Sequence, residues 1–210
     1  MSPTADHPPL FPIDREELAR RLARPVPPPA PEDRHLFGLP HGAKATEAAV
    51  MLPLVHRAGA LYVLLTQRTA HLSDHAGQIC FPGGRVNPED ANREETALRE
   101  TEEEIGVDRA RIEILGHLPL YELPTGFRIT PIVGWIEAPF EVRPDPFEVA
   151  AVFEVPLSHF LELSHYARRE YHFRGRHRHY MAVPYEGRYI WGATAGMLYT
   201  FCRVVLAPGA

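Results

Sequence analysis

Glu100, Glu103 and Glu104 stand in the run Arg99-Glu100-Thr101-Glu102-Glu103-Glu104, within a stretch that reads as a helix over residues 93–105. At ~100° per residue the three carboxylates share a ~100° arc of one face. Leu98, Thr101 and Ile105 fall on the opposite side, where a helix would pack on a sheet. Gly106 supplies a C-terminal stop. A solvated acidic face is one explanation, but two features oppose it. Glu100 and Glu104 are like charges at i, i+4, and all three carboxylates crowd the negative end of the helix dipole. A divalent cation joining them to a polyanionic substrate removes both penalties, and oxygen ligands suit Mg2+ or Mn2+. Arg99 lies within helical reach of Glu95, Glu102 and Glu103, so it is placed to hold a carboxylate in one rotamer. Gly83-Gly84, ahead of the helix, allows backbone to approach a ligand without a Cβ in the way.

These residues need a scaffold, and the flanking segments read as a mixed α/β domain. Apolar β-branched runs at residues 48–55 and 61–66 form a plausible hairpin around His56–Ala60. Further strands are expected at 112–120, 128–136 and 149–155, a short helix from Pro156 to Leu163, two strands within 171–189, and a closing helix at 192–205. Upstream, Asp14 to Leu22 reads as a short helix with Asp14 as N-cap and Leu18 and Leu22 on one face. The proline run at 24–31 forbids helix and sheet interior. The expected organisation is an N-terminal helix and Pro-rich arm over 1–35 and one α+β domain over 36–210.

The chain has 210 residues, 45% of them hydrophobic and 23% charged, which excludes a wholly disordered chain. No apolar run approaches the ~20 residues of a membrane span, and the N-terminus lacks the pattern of a signal peptide. Cys80 and Cys202 have no zinc-ligand spacing and read as free thiols, so a cytoplasmic protein is expected. A net charge of −5 argues against general nucleic-acid binding.

With these residues in view, a family likeness emerges. Gly84, Arg99-Glu100, Glu103-Glu104, Gly106 and Val107 resemble the Nudix box, G-x5-E-x7-R-E-U-x-E-E-x-G-U. Thr101 replaces the usual aliphatic residue, and one extra residue in the first half leaves Asp90 or Ala91 where the early glutamate belongs. Upstream, Leu64-Leu65-Thr66-Gln67-Arg68-Thr69, Gly77 and Phe81-Pro82-Gly83-Gly84 resemble the signature of the coenzyme A pyrophosphatases of that superfamily, a group that shares the longer spacing. Thr125–Pro131 and Ile190–Ala195 are similar to the same group.

The resemblance implies an α/β/α sandwich around a mixed sheet, and metal-dependent hydrolysis of a nucleoside diphosphate linked to another group. For coenzyme A the products are 3′,5′-ADP and 4′-phosphopantetheine; ADP-ribose or NADH is the alternative substrate. Retention of Arg99, Glu100, Glu103 and Glu104 disfavours a silent nucleotide-binding domain. In this frame Glu100 and Glu104 are the principal Mg2+ or Mn2+ ligands, Glu103 an auxiliary ligand or base, and the Gly83 carbonyl a further ligand. Glu148 is a second candidate general base. Arg68 and Arg85 flank the glycine loop and either reach phosphates or pair with the acidic helix; His75 either meets the nucleotide or is a plain loop residue. Tyr171, Phe173 or Tyr180 is placed to stack on adenine.

Overall fold

The computed structural model describes residues 14–24, 45–72, 74–173 and 176–207. The proline run beyond Arg24 and the expected arm–domain boundary at 35/36 lie outside them. Helix α1 (Arg15–Leu22) starts where Asp14 accepts from the Glu17 amide at 2.7 Å. Its Leu18 and Leu22 are buried in the same core as the rest of the chain, so this helix is docked on the domain.

The centre is an eight-stranded sheet. Strand β1 (Thr46–Arg57) turns through Ala58-Gly59 into β2 (Ala60–Arg68). The two pair only at the turn end, Leu54 with Val63 through Arg57 with Ala60, and then part. Into that fork fit two short strands, β3 (Ile79–Cys80) and β4 (Gly83–Arg85), β3 pairing with Thr66–Gln67 and β4 with Ala48–Val50. The fork opens a gap in the sheet and fills it with Phe81-Pro82-Gly83-Gly84.

Helix α2 (Arg93–Ile105) follows, then β5 (Ile112–His117), β6 (Tyr121–Glu122), β7 (Phe127–Glu137) and β8 (Val149–Pro156). β7 runs parallel to β1 along eleven paired positions, and the other pairs are antiparallel, so the sheet is mixed. Alternate residues of β1 serve two cores. Ala49, Met51 and Val55 pack with Ala97 and Ile105 of α2, while Ala48, Leu52 and Leu54 face the other layer. That layer holds α1, α3 (Leu157–Leu161) and α4 (Gly192–Leu206). The expected α/β/α sandwich is present.

Some boundaries differ from expectation: the strand expected at 112–120 ends at His117, and a separate short strand covers Tyr121–Glu122. The helix after Pro156 ends at Leu161 and a separate 3-10 turn covers Leu163–His165. Residues 167–191 form three strands rather than two: β9 (Ala167–Phe173), β10 (Arg176–Tyr185) and β11 (Arg188–Trp191), a sheet of their own in the order β11-β10-β9. Met181, Val183 and Ile190 bury one face of it in the core shared with α4. Cys80 and Cys202 are free thiols, and no helix among the described residues is long and apolar enough to cross a membrane.

Candidate active site

Helix α2 is fixed at both ends. Asn92 accepts from the Glu95 amide at 2.9 Å, and Glu94 and Glu95 in the first turn suit the dipole. At the other end Gly106 takes a left-handed conformation (φ 65°). The carbonyls of Glu104 and Ile105, which a helix leaves without partners, accept from the amides of Asp145 (2.9 Å) and Arg143 (2.7 Å). The loop after β7 is thereby tied to the carboxylate turn. Its far end is tied to β2, where the Thr69 amide donates to the Glu148 carbonyl (2.9 Å) and the Thr69 hydroxyl to that of Phe147 (2.7 Å). Glu148, distant in sequence, arrives beside Arg68.

Arg99 organises the outer half of the site. Its Nε and Nη2 donate to the two oxygens of Asp90 at 3.0 and 3.1 Å, and its Nη1 donates to Glu100 and Glu103 at 2.9 Å each. Asp90 also accepts from the Thr96 hydroxyl (2.7 Å) and the Asn87 amide (2.9 Å). The Arg99 guanidinium holds its carboxyl well below the usual carboxylate range. Asp90 thus fills the early acidic position of the box as the anchor of Arg99, a role that the box spacing left open. Glu95 and Glu102, expected near Arg99, pair with Arg109 instead. Thr101 fits its aliphatic position because its hydroxyl donates to the Ala97 carbonyl at 2.6 Å within the buried face.

The inner half is the Gly83-Gly84 edge. A Cβ on Gly84 would lie 2.5–2.6 Å from all three carboxylate atoms of Glu100. The missing side chain is the space the carboxylate uses. Gly83, at φ 156°, has Ala49 O and the Val50 Cα at 2.5 and 2.6 Å from where its Cβ would be. The flanking ladder bonds, Met51 N to Pro82 O and Val86 N to Glu47 O, alternate so that the N–H and C=O of Gly83 turn away from β1. They turn toward Glu104, whose charge the Gly83 amide stabilises.

Glu104 is 4% exposed, and its Oε2 has no hydrogen-bond partner. Burial pushes this carboxyl up to about 8, with Glu100 and Glu148 adding to the rise and Arg68, 3.6 Å away, opposing it. Burial also raises Glu100. Among the described residues no three acidic, histidine or cysteine side chains are already closed into a cage. An orphaned buried carboxylate oxygen, a second carboxylate in a glycine cradle and an outward backbone carbonyl nonetheless form an all-oxygen donor set, which fits a hard divalent cation.

Of the residues singled out from sequence, Glu100, Glu103, Glu104, Gly83, Arg99, Arg68 and Glu148 gather here, Arg68 lying 4.0 Å from Glu148. The Arg85 side chain does not join them: its guanidinium lies over the Phe127 ring at 5.5 Å, and only its carbonyl meets Arg99, at 3.3 Å. His75 sits in an exposed turn at φ 59° with its ring 3.0 Å from Gln78. Tyr171 and Tyr180 lie on the small sheet; the Phe173 side chain falls outside the described residues. Asp90, one of the two candidates for the early acidic position, proves to be the anchor of Arg99; the loop amides of Arg143 and Asp145 were not foreseen, since nothing local in sequence marks them.

A family model described as NUDIX domain matches residues 45–174. The Nudix hydrolase NudL of Escherichia coli K12 is 41% identical over 152 residues, 72% of this chain and 79% of the relative. NudL of Yersinia enterocolitica is 41% identical over 157 residues, 74% and 80% of the two chains. Among solved structures, a Caenorhabditis elegans Ap4A hydrolase binary complex aligns with a TM-score of 0.46 at 22% identity, covering 57% of this chain and 86% of that one.

Proposed function

The chain belongs to the NUDIX domain family as a pyrophosphohydrolase of nucleoside diphosphate derivatives, and from that premise we propose that its substrate is coenzyme A or a coenzyme A derivative, cut at the diphosphate to 3′,5′-ADP and 4′-phosphopantetheine. The observation that carries this reading is where the upstream signature lies. Arg68 faces Glu104 and Glu148, Thr69 ties down the Glu148 loop, and Phe81-Pro82-Gly83-Gly84 forms the wall on which Glu100 rests. That a motif resembling the coenzyme A pyrophosphatase signature lines the candidate site, rather than a distant surface, supports this reading.

In this reading Glu100 and Glu104 hold Mg2+ or Mn2+, with Glu103 and the Gly83 carbonyl as further donors. A cation bound there supplies Lewis-acid polarisation of the phosphoryl oxygens and cancels their repulsion by the carboxylates. The remaining work falls to the chain. Asp90 locks Arg99, and Arg99 holds Glu100 and Glu103 in single rotamers. Glu148, 42% exposed and fixed at the loop end, accepts the proton of the attacking water. Arg68, between Glu104 and Glu148, orients that base and turns its guanidinium to a phosphate oxygen.

The test is chromatography of products from coenzyme A, ADP-ribose and NADH incubated with the full-length protein and Mg2+ or Mn2+. Release of 3′,5′-ADP and 4′-phosphopantetheine is expected. Turnover of ADP-ribose or NADH with coenzyme A untouched would refute the substrate assignment.

A further inference from the structure

The small sheet has one face in the core and one in solvent, and the solvent face is aromatic. The register sets Arg169 opposite Tyr180, Trp191 opposite Ala182 and Tyr189 opposite Pro184, all on that face. Tyr171, two residues after Arg169, joins them. Tyr180 is the hub: Tyr171 and Trp191 meet its ring at 5.7 and 5.3 Å, tilted by 70° and 67°, and the Tyr189 hydroxyl lies 3.4 Å from its own. Tyr171, Tyr189 and Trp191 are each more than a third exposed. A solvated sheet face ordinarily alternates to polar residues, so four neighbouring rings mark a surface meant for a ligand. Arg169, exposed opposite Tyr180, adds a guanidinium to this face in a chain of net charge −5.

The face borders the reaction centre. The Thr194 hydroxyl, three residues beyond Trp191, donates to the Ile79 carbonyl at 3.1 Å, pinning the end of β11 to β3. From Ile79 the chain reaches Gly83 in four peptide units, at most ~15 Å. At the other edge Tyr171 lies near enough to Tyr121 of β6 to perturb it. Helix α2 and the small sheet thus pack on opposite faces of the main sheet and both approach it at the β3–β4 segment, α2 at β4 and β11 at β3.

We propose that Tyr171, Tyr180 and Trp191, with Arg169 beside them, form the platform on which the substrate's nucleobase stacks while its diphosphate meets the α2 carboxylates. Aromatic rings accept any base face, and a guanidinium at their edge complements a nucleotide phosphate, which neither an apolar chain nor a sugar would require. This rests on the reading of the substrate as a nucleoside diphosphate derivative.

In the full-length protein Tyr171→Ala and Trp191→Ala should each raise KM roughly tenfold to a hundredfold, the effect of losing one ring from a base-stacking site. kcat should stay within about twofold, and Trp191→Phe should recover most of the loss. Calorimetric binding of 3′,5′-ADP, which involves no turnover, should weaken by the same factor, while 4′-phosphopantetheine should bind every variant alike. Unchanged KM and 3′,5′-ADP affinity in variants with native circular dichroism overturns the platform. Unchanged affinity with a sedimentation shift from dimer to monomer also overturns it, and gives the face to a second copy of the chain. If the intact protein spares coenzyme A but cleaves another nucleoside diphosphate, the substrate assignment fails alone, and the KM comparison on that substrate still decides the platform.

Discussion

Gly83 and Gly84 are adjacent, yet an alanine at each should fail in a different way. At Gly84 the new methyl meets only the end of a flexible side chain, the Glu100 carboxylate at 2.5 Å, and ordinary contact begins at 3.4 Å. The carboxylate must retreat by about 0.9 Å, and a misplacement of that size in a reacting constellation costs roughly a hundredfold, or ~2.7 kcal/mol of barrier. The fold loses little. Gly84 has no positive φ, and replacing glycine stabilises by ~0.4–1 kcal/mol through the unfolded chain, which offsets the push on Glu100. At Gly83 the methyl would meet backbone, Ala49 O and Val50 Cα, at a φ of 156°. There the β1–β4 pairing itself must part, a loss of roughly 2–3 kcal/mol. Thermal melts with kcat/KM across an Mg2+ titration should show Gly84→Ala near-native in Tm, within about 3 °C, and crippled in turnover. Gly83→Ala should fall in both. A Gly84→Ala protein with native kcat/KM at every Mg2+ concentration would mean that the position of Glu100 is immaterial, and the metal role assigned to it would be lost.

Glu104 should make stability fall as pH rises. Its folded-state value of about 8 exceeds the unfolded 4.5, so the native state binds the proton more tightly and that stability, present below pH 4.5, is lost on going up to 8. Urea melts with chelator at pH 5 and pH 8 should show a drop of the order of 3–5 kcal/mol in wild type relative to Glu104→Gln; parallel behaviour of the two proteins would refute it. Adding Mn2+ at pH 8 should restore wild type and leave the variant unmoved, since a cation replaces the proton on the carboxylate. Asp90→Asn should destabilise by roughly 3 kcal/mol, because it removes the charge from a nearly buried carboxylate that binds Arg99 in bidentate fashion. Turnover should drop with it as Glu100 and Glu103 lose their common tether, and native kinetics in that variant would deny Arg99 its positioning role. Deleting residues 1–24 should remove the burial of Leu18 and Leu22, ~3–6 kcal/mol together, while kcat per folded molecule stays native. An unchanged Tm would show that α1 is not part of the core.

The elements that could be read from sequence were those whose signals are local. Helix α2 carries its cap at Asn92, its buried side at Thr101 and Ile105 and its stop at Gly106 within fifteen residues, and the expected span of 93–105 is the span it has. Helix α1 is equally self-contained, from Asp14 to Leu22, but sequence gave no hint that Leu22 would press on the β5 glycine, Gly116. Partnerships decided by tertiary approach were not legible. Helical spacing assigned Glu95 and Glu102 to Arg99, yet Arg109, just past the helix, reaches both, and Arg99 turns to Asp90. Residues 171–189 were read as two strands, and the third strand was missed because histidine and arginine alternation in β9 and β10 obscures the period-two apolar signal that only Met181, Val183 and Ile190 retain.

The acidic cluster is built at the expense of the fold, and that asymmetry supports its use. The carboxylates on its outer side are satisfied: Asp90 has four donors to it, and Glu100 and Glu103 share Arg99. Arg68 comes to 3.6 Å of Glu104, beyond a good hydrogen bond, and the other carboxylate oxygen is buried without a hydrogen bond. Leaving a buried acceptor unpaired costs ~1–3 kcal/mol, more when charged. A leucine at 104 would fill the space between β4 and α2 without that cost, since the helix end is already secured by Gly106, Arg143 and Asp145. The helix would therefore fold better without its last carboxylate. What that carboxylate adds is the capacity to take up an oxygen-seeking cation within reach of Arg68 and Glu148, the groups best placed to meet a diphosphate and the water that cleaves it.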